Sequence, residues 1–441
     1  MSKNEIKLTE TVPKRKVYVG MSGGVDSSVA AYLLKQATPN NFEKLFGRPT
    51  PKGFSGYDVV GVYLMCYSGP VKEQSSHGAS DEEVCNAKKD MEDARAVAYK
   101  LGIPFYVWNL EKEYKEKVID YMVEGYRAGI TPNPDVMCNR EIKFGIFLNR
   151  ALAMGADYVA TGHYVRKLIA DSEIADSKNF GMVSSKLKAK SYKLFSARDA
   201  QKDQSYFLWT LTQEQLKHCL FPIGDYLKSE VREIARTAGL ITADKKDSQG
   251  VCFVGKIKLE DFLSEAIISR RGEVITSTGE KIGEHNGSEF YTIGQRHLGI
   301  SNMGYGTLNK GKDTKPYYVA AKDVKANTLM VVEGDNDSAL YKKEIKLSNV
   351  NFISSNQILD SKFQIQIMAR VRYRQPLVSA TLYQLQPTTN NQQPTTYKLI
   401  FDKPVKFVAP GQSAVFYSRN PSTSSGSKSE DFEMLGGGVI L

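Results

Sequence analysis

The chain has 441 residues, 41% of them hydrophobic and 24% charged, with 59 Lys and Arg against 49 Asp and Glu for a net charge of +10. That length supports two or three domains with a sizeable core, and the charge points to a polyanionic partner. No apolar run nears the roughly 18 residues of a membrane span, and no apolar signal core precedes Arg15, so a cytoplasmic protein without a membrane role is expected.

From residue 16 to about 165, strands and helices alternate. Val17, Tyr18 and Val19 open a strand over 16–20, and a helix runs from 27 with Val29, Ala30, Leu33 and Leu34 in apolar period. Strands follow at 58–65, 105–110 and 157–161, with helices near 83–101, 111–128 and 139–153 between them. This order predicts an α/β domain, a doubly wound parallel sheet with helices on both faces. Ligands in such sheets bind beyond the carboxyl ends of the strands. The glycine loop, Met65 and Thr161-Gly162-His163 all fall at those ends.

The glycine loop reads VYVGMSGGVDSS over 17–28. Gly23 and Gly24 let the backbone close round a ligand, and the helix start behind them offers open N–H groups and a positive dipole end. Together they predict an anion site suited to phosphate. No lysine follows the glycines as the Walker pattern requires, and Asp26 and Ser27 stand where a dinucleotide fingerprint needs glycine.

The segment 36–57 is longer than a usual loop, and 171–190 is polar and weakly patterned. Helices are expected at 213–220, 229–239 and 259–269, making the middle mostly helical. From about 290 short β runs begin, among them YYVAA, TLMVVE, QIQIMARVRY, LVSATLYQL, YKLIF and SAVFY, which predict a small antiparallel barrel. The stretches 171–190, 386–396 and 419–430 are expected to be loops without function. The expected division is 1–216 completed by 245–258, then 217–318, then 319–441.

Two cysteine motifs carry candidate chemistry. Asn133-Pro134-Asp135-Val136-Met137-Cys138 places a thiol at the expected start of the helix near 139–153, with Arg140 and Lys143 within a turn. Asp135 is spaced for proton transfer or for orienting a substrate. Cys252 lies in the glycine-punctuated DSQGVCFVG. Either thiol could be reactive, or simply small and buried. Cys66, Cys85 and Cys219 stand outside these motifs and are expected to pack. No C-x-x-C pair occurs, so no metal site is expected, and an odd cysteine count fits a reducing compartment.

The hexapeptide SGGVDS resembles the phosphate loop of the ATP pyrophosphatase superfamily. VYVGMSGGVDSS, TPNPDVMCNREIKF, ATGHY, ARDAQKDQSYFLW, KKDSQGVCFVG, YTIGQR, RVRYRQ and APGQSAVFY occur in this order. That set resembles the tRNA-specific 2-thiouridylase family from about residue 16 to 417. The resemblance implies that Gly20, Met21, Ser22, Gly23, Gly24, Val25, Asp26 and Ser27 hold the phosphates of ATP. Met65 lies near the adenine and Gly162 near the nucleotide. It implies that Asn133, Pro134 and Asp135 face a flipped-out wobble uridine. It further implies that His163, Lys202, Asp203, Gln204, Arg372, Tyr373 and Gln412 contact tRNA. ATP with Mg2+ would adenylate the uracil oxygen. Cys252 would carry sulfur as a persulfide, and Cys138 would act as nucleophile, the two forming a transient disulfide. A cysteine desulfurase or sulfur-relay protein is the implied partner beside tRNA, and a monomer is expected. The family usually has more glycine where this chain reads HLGIS after YTIGQR. Competing readings are another ATP pyrophosphatase acting on a small molecule, and a non-enzymatic RNA-binding protein.

Overall fold

The computed structural model describes residues 12–67, 86–173, 188–246, 259–296, 298, 315–353, 364–385, 396–419 and 432–441. Five parallel strands form the first sheet, in the spatial order Phe105–Asn109, Tyr57–Met65, Arg15–Gly20, Tyr158–Ala160 and Cys219–Leu220. Strand alternation sends successive side chains to opposite faces. Val17 and Val19 therefore enter one core with Val29, Leu33, Val97, Val231 and Ala235. Tyr18 enters a second core with Phe144, Phe147 and Leu148. The helices Val25–Gln36, Asn86–Leu101 and Lys228–Thr237 contribute to the first face, and the helical run Cys138–Ala153 to the second. This is the expected doubly wound domain.

The long segment 36–57 is anchored rather than loose. Its short helix Phe42–Phe46 buries Phe42 and Phe46, and Phe54 stacks edge-on to Phe42 at 4.7 Å.

The middle departs from the expected helical region. Helices occur at Gln213–Lys217, Lys228–Thr237 and Leu259–Ser264, but from Gly272 the chain turns to sheet. Four strands pair in the order Tyr317–Asp323, Thr328–Glu333, Gly272–Thr276 and Lys281–His285. They close over Val274, Tyr291, Val319, Leu329 and Val331. The runs YYVAA and TLMVVE thus belong to this sheet and not to the C-terminal barrel. The hairpin 272–285 was hidden because few apolar residues, Val274, Ile275 and Ile282, interrupt its charged sequence.

Six antiparallel strands make the barrel, in the order Tyr341–Phe352, Tyr397–Lys406, Val378–Gln384, Gln364–Arg370, Ser413–Arg419 and Phe432–Ile440. Pairing of the first with the last closes it. Two further strands, Arg166–Glu173 and Lys188–Phe195, extend this sheet from the first domain. The ends of the expected loop 171–190 are therefore strand. Barrel residues Val415, Tyr417 and Met434 share the second core with Tyr18 and Phe147, so barrel and parallel sheet are packed directly together. Among the described residues no helix is long and apolar enough to cross a membrane.

Candidate active site: a glycine loop and an aromatic cavity

The strand Arg15–Gly20 runs into the loop, and the helix Val25–Gln36 begins at once. Gly24 occupies the helix N-cap with no side-chain hydrogen bond to it, so the first-turn N–H groups face outward as an anion cradle. Ser28 Oγ donates to Gly24 O at 2.8 Å, and Ser27 Oγ accepts from Ser22 N at 3.1 Å. These bonds hold the loop's curve.

Two glycines are sterically required. Gly23 has φ +74°, and a Cβ there would lie 2.1 Å from Asp90 O. A Cβ on Gly162 would lie 2.6 Å from Ser27 N, because the end of the strand Tyr158–Ala160 abuts the helix start. Tyr164, two residues on, donates its hydroxyl to Asp26 Oδ1 at 2.8 Å.

Two lysines, one opening the helix Lys228–Thr237 and one beyond its end, reach the same loop. Lys228 Nζ donates to both Asp26 oxygens at 2.7 and 2.9 Å. Lys245 Nζ donates to Gly23 O at 3.0 Å and Asp90 Oδ1 at 2.7 Å, and also to Asp93. Met65 ends its strand with its carbonyl held by Leu110 N.

The second feature starts at Thr131. Pro132 and Pro134 stiffen the backbone, and Asn133 caps the following helix, its Oδ1 accepting from Val136 N at 3.2 Å. Pro134 takes the first helical position, where its missing N–H costs nothing. The helix therefore begins before Cys138, whose N–H already donates to Pro134 O and Asp135 O. Cys138 does not sit at an open helix end as expected. It starts a run of wide π-helical turns and is 5% exposed.

A cavity of about 280 Å³ opens beside this segment. Its wall combines Asn133, Pro134 and Asp135 with Tyr206 and Phe207, and with Tyr373 and Gln412 of the barrel region. Phe207 and Tyr373 lie 4.6 Å apart, and Tyr206 meets Phe207 edge-on at 5.3 Å. Tyr206 donates its hydroxyl to Ser413 O at 2.9 Å, and burial pushes its pKa far up. Tyr126, also in the wall, is pushed by burial to about 12. Both phenols are neutral at any physiological pH. Cys138 packs in the same apolar cluster as Met122 and Tyr126 of this wall.

One strand of contacts joins loop and cavity. Tyr164, which holds Asp26, receives Gln204 Oε1 on its N–H at 3.0 Å, and the aromatic turn Ser205–Leu208 follows directly.

Family models match the chain in three consecutive parts. A tRNA methyl transferase HUP domain covers residues 15–46 and 53–256, a tRNA methyl transferase PRC-barrel domain covers 260–333, and an aminomethyltransferase beta-barrel domain covers 342–440. The chain is 39% identical over 426 residues to the tRNA-specific 2-thiouridylase MnmA 2 of Geobacillus kaustophilus, covering 96% of this chain and 94% of that one. It is 41% identical over 428 residues to the tRNA-specific 2-thiouridylase MnmA of Streptococcus mutans, covering 97% and 95%. The chain belongs to the tRNA-specific 2-thiouridylase family.

Of the residues that the thiouridylase resemblance singled out, Asn133, Pro134, Asp135, Tyr373 and Gln412 meet at the cavity. Others lie elsewhere. His163 is 7% exposed, bonded through Nδ1 to Thr161 Oγ1 at 2.8 Å and flanked by Phe144 and Phe221. Burial, with Lys143 nearby, holds its pKa well below 6.5, so it is neutral. Asp203 is 3% exposed and accepts from Ala197 N, Ser205 N and Ser205 Oγ, with Arg370 paired at 3.3 Å. The Gln204 amide oxygen is engaged internally, and Lys202 is half-buried with its N–H on Asp199 O. Arg372 donates to Ile293 O, which ties barrel to middle domain. Cys252 and Cys85 lie outside the described residues. Among the described residues no group of three or more acidic, histidine or cysteine side chains could hold a metal ion.

Sequence reasoning missed Tyr126, Tyr206, Phe207 and the contacts of Lys228 and Lys245 with the loop. Tyr206 and Phe207 stand in the run KDQSYFLW, where two adjacent aromatics in a polar segment were the available signal.

Proposed function

We propose that this chain forms 2-thiouridine at the wobble position of tRNA, adenylating the uracil oxygen with ATP and replacing it with sulfur from a cysteine persulfide. The observation that carries the reading is the cavity. Its volume of about 280 Å³ suits one base, its wall is aromatic, and it opens beside Asp135 and Cys138. Taking a base out of its stack costs a few kcal/mol, and an aromatic wall such as Phe207 and Tyr373 returns about 1–3 kcal/mol by stacking.

The phosphate loop fits ATP by its own geometry: open helix N–H groups, a glycine pressed against Asp90, and cations at Lys228 and Lys245. Magnesium would enter with the nucleotide, held mainly by phosphate oxygens and water, with Asp26 the nearest carboxylate of the loop. Uracil O2 attacks the α-phosphate, the α–β bond breaks, and pyrophosphate leaves. The persulfide on Cys252 then supplies sulfur to C2 and AMP departs with the former oxygen. Cys138 attacks the Cys252 persulfide to release that sulfur, leaving a Cys138–Cys252 disulfide that two external thiols, or one dithiol, reduce while themselves becoming a disulfide. A cysteine desulfurase or sulfur-relay protein recharges Cys252, in a cytoplasmic setting. The net charge of +10 supplies sequence-independent attraction to the tRNA backbone.

The test is nucleoside mass spectrometry of tRNA from a strain lacking its own thiouridylase and complemented with this chain. Cys138→Ser, Cys252→Ser and Asp26→Ala should each remove 2-thiouridine. Normal 2-thiouridine with Cys252→Ser would overturn the persulfide role.

A further inference from the structure

The amide of Gln412 is held in one orientation. It follows Gly411 in the turn that enters the strand Ser413–Arg419. Its Nε2 donates to Thr131 O at 3.0 Å and to Pro132 O at 3.0 Å. A side-chain amide has two N–H protons, and both are used. The reversed amide would set Oε1 against two carbonyl oxygens with no proton between them, leaving three acceptors and no donor. The backbones also meet closely here. Gly411 has φ +88°, a Cβ on it would lie 2.9 Å from Thr131 O, and Thr131 N donates to Pro410 O at 2.8 Å. The two loops are thus fixed against each other, and the amide between them cannot turn.

Oε1 is what remains of Gln412 for the cavity. Among the described residues it accepts no hydrogen bond, and it is not sealed from solvent. The other polar groups of the wall are mostly spent. Asn133 Oδ1 accepts from Val136 N, and the Tyr206 hydroxyl donates to Ser413 O.

Resting on the thiouridylase reading above, we infer that Gln412 Oε1 reads the N3–H of the flipped pyrimidine and so sets the choice of uracil over cytosine. Uracil N3 carries a proton and donates. Cytosine N3 carries a lone pair and accepts. A glutamine free to rotate would offer its NH2 to cytosine and read both bases. A glutamine with both protons committed offers only an oxygen, and cytosine N3 meets it lone pair to lone pair. Asp135 brings a carboxylate to the same wall. A carboxylate is likewise only an acceptor, so Asp135 is the competing reader of the same proton, and the experiment separates the two.

The experiment uses the full chain with ATP, magnesium, a cysteine desulfurase with cysteine, and two tRNA transcripts that differ only in U or C at position 34. Products are 2-thiouridine and 2-thiocytidine, quantified by mass spectrometry. Wild type is expected to favour the U34 transcript in kcat/KM by about a thousandfold or more, as sites that hydrogen-bond a substrate donor do. Gln412→Leu should slow thiolation of U34 by about tenfold and shrink the U-to-C ratio by at least about tenfold. The ratio compares two substrates on one preparation, so a partly unfolded variant does not distort it. An unchanged ratio in Gln412→Leu overturns the inference and leaves Gln412 as a loop staple. A ratio that shrinks with Asp135→Asn and not with Gln412→Leu overturns it too, by giving the reading to Asp135. Wild-type protein that thiolates neither transcript overturns the 2-thiouridine reading itself, and this inference with it.

Discussion

The Lys228 ammonium closes on the Asp26 carboxylate at 2.7 and 2.9 Å, bridging the helix Lys228–Thr237 to the glycine loop. The lysine side chain is 12% exposed and the aspartate 32%, so the pair is neither a surface contact nor fully buried. Lys228→Met should cost about 1–3 kcal/mol in stability, between the values for exposed and buried pairs. It should also raise KM for ATP, since Asp26 then keeps only the Tyr164 hydroxyl as a described partner in hydrogen bonding. Thermal unfolding and the ATP dependence of pyrophosphate release measure the two effects. An unchanged KM would separate Lys228 from the nucleotide site.

The glycines around the loop that joins Arg15–Gly20 to Val25–Gln36 are not equivalent. A Cβ on Gly20 meets nothing closer than Phe147 at 3.6 Å, and its φ is ordinary. A Cβ on Gly162 meets the backbone of Asp26 and Ser27 at 2.6–2.7 Å, where nothing flexible can yield. Gly162→Ala should destabilise by about 1–3 kcal/mol through overpacking and lower ATP-dependent activity at least about tenfold. Gly20→Ala should stay near wild type in both. Equal effects would mean that the strand end and the helix start are not held as closely as 2.6 Å implies.

The parallel-sheet domain was legible because hydrophobic periodicity and turn chemistry agree there. Val17, Val19 and Val29 announce strand, loop and helix within one short stretch, and all three are buried. The cavity was only half legible. Asn133 to Asp135 stand together in sequence, but Tyr373 and Gln412 join them through the closure of a barrel, which no local pattern encodes. Pairing of Leu347 with Ile440 and Phe352 with Gly436 brings the far ends of that barrel together. Burial was the least legible property. Asp203 lies between Lys202 and Gln204 in a polar run that reads as surface, yet it is 3% exposed, because Ala197, Ser205 and Arg370 all turn their donors toward it.

That environment makes Asp203 an internal tie between the first domain and the barrel strand Gln364–Arg370. Its partner Arg370 also stacks on the Tyr417 ring at 4.8 Å, and Tyr417 shares a hydrogen bond with Ser205 at 3.0 Å. Asp203→Asn should cost about 3–5 kcal/mol, the usual result of leaving a buried charge without its counter-ion. Adding Arg370→Met should recover part of that loss, because it removes the stranded cation. Chemical denaturation of the two single variants and the double variant gives the coupling. Strict additivity would show that the pair does not act as a unit.

Lys167 provides a pH-dependent signature. Its Nζ is buried and donates to Leu216 O at 2.9 Å and Cys219 O at 2.5 Å, beneath the Tyr192 ring at 4.9 Å. Burial lowers its pKa from 10.5 to about 8, and burial raises that of the Cys219 thiol beside it from 9.0 to about 12. A neutral amine still has two protons for the two carbonyls, so deprotonation sheds the buried charge without losing either bond. Above about pH 8 the unfolded chain keeps a proton that the folded chain has released, so stability rises with pH. Above about pH 9 the unfolded Cys219 ionises while the folded thiol does not, which pulls stability down and offsets the rise. The gain is therefore clean only between about pH 8 and 9, where it should reach at most about 1.4 kcal/mol. Denaturant titrations of wild type and Lys167→Met across about pH 7.5 to 9 isolate it, because the other groups titrate alike in both. Parallel pH curves would mean that Lys167 stays charged in the fold.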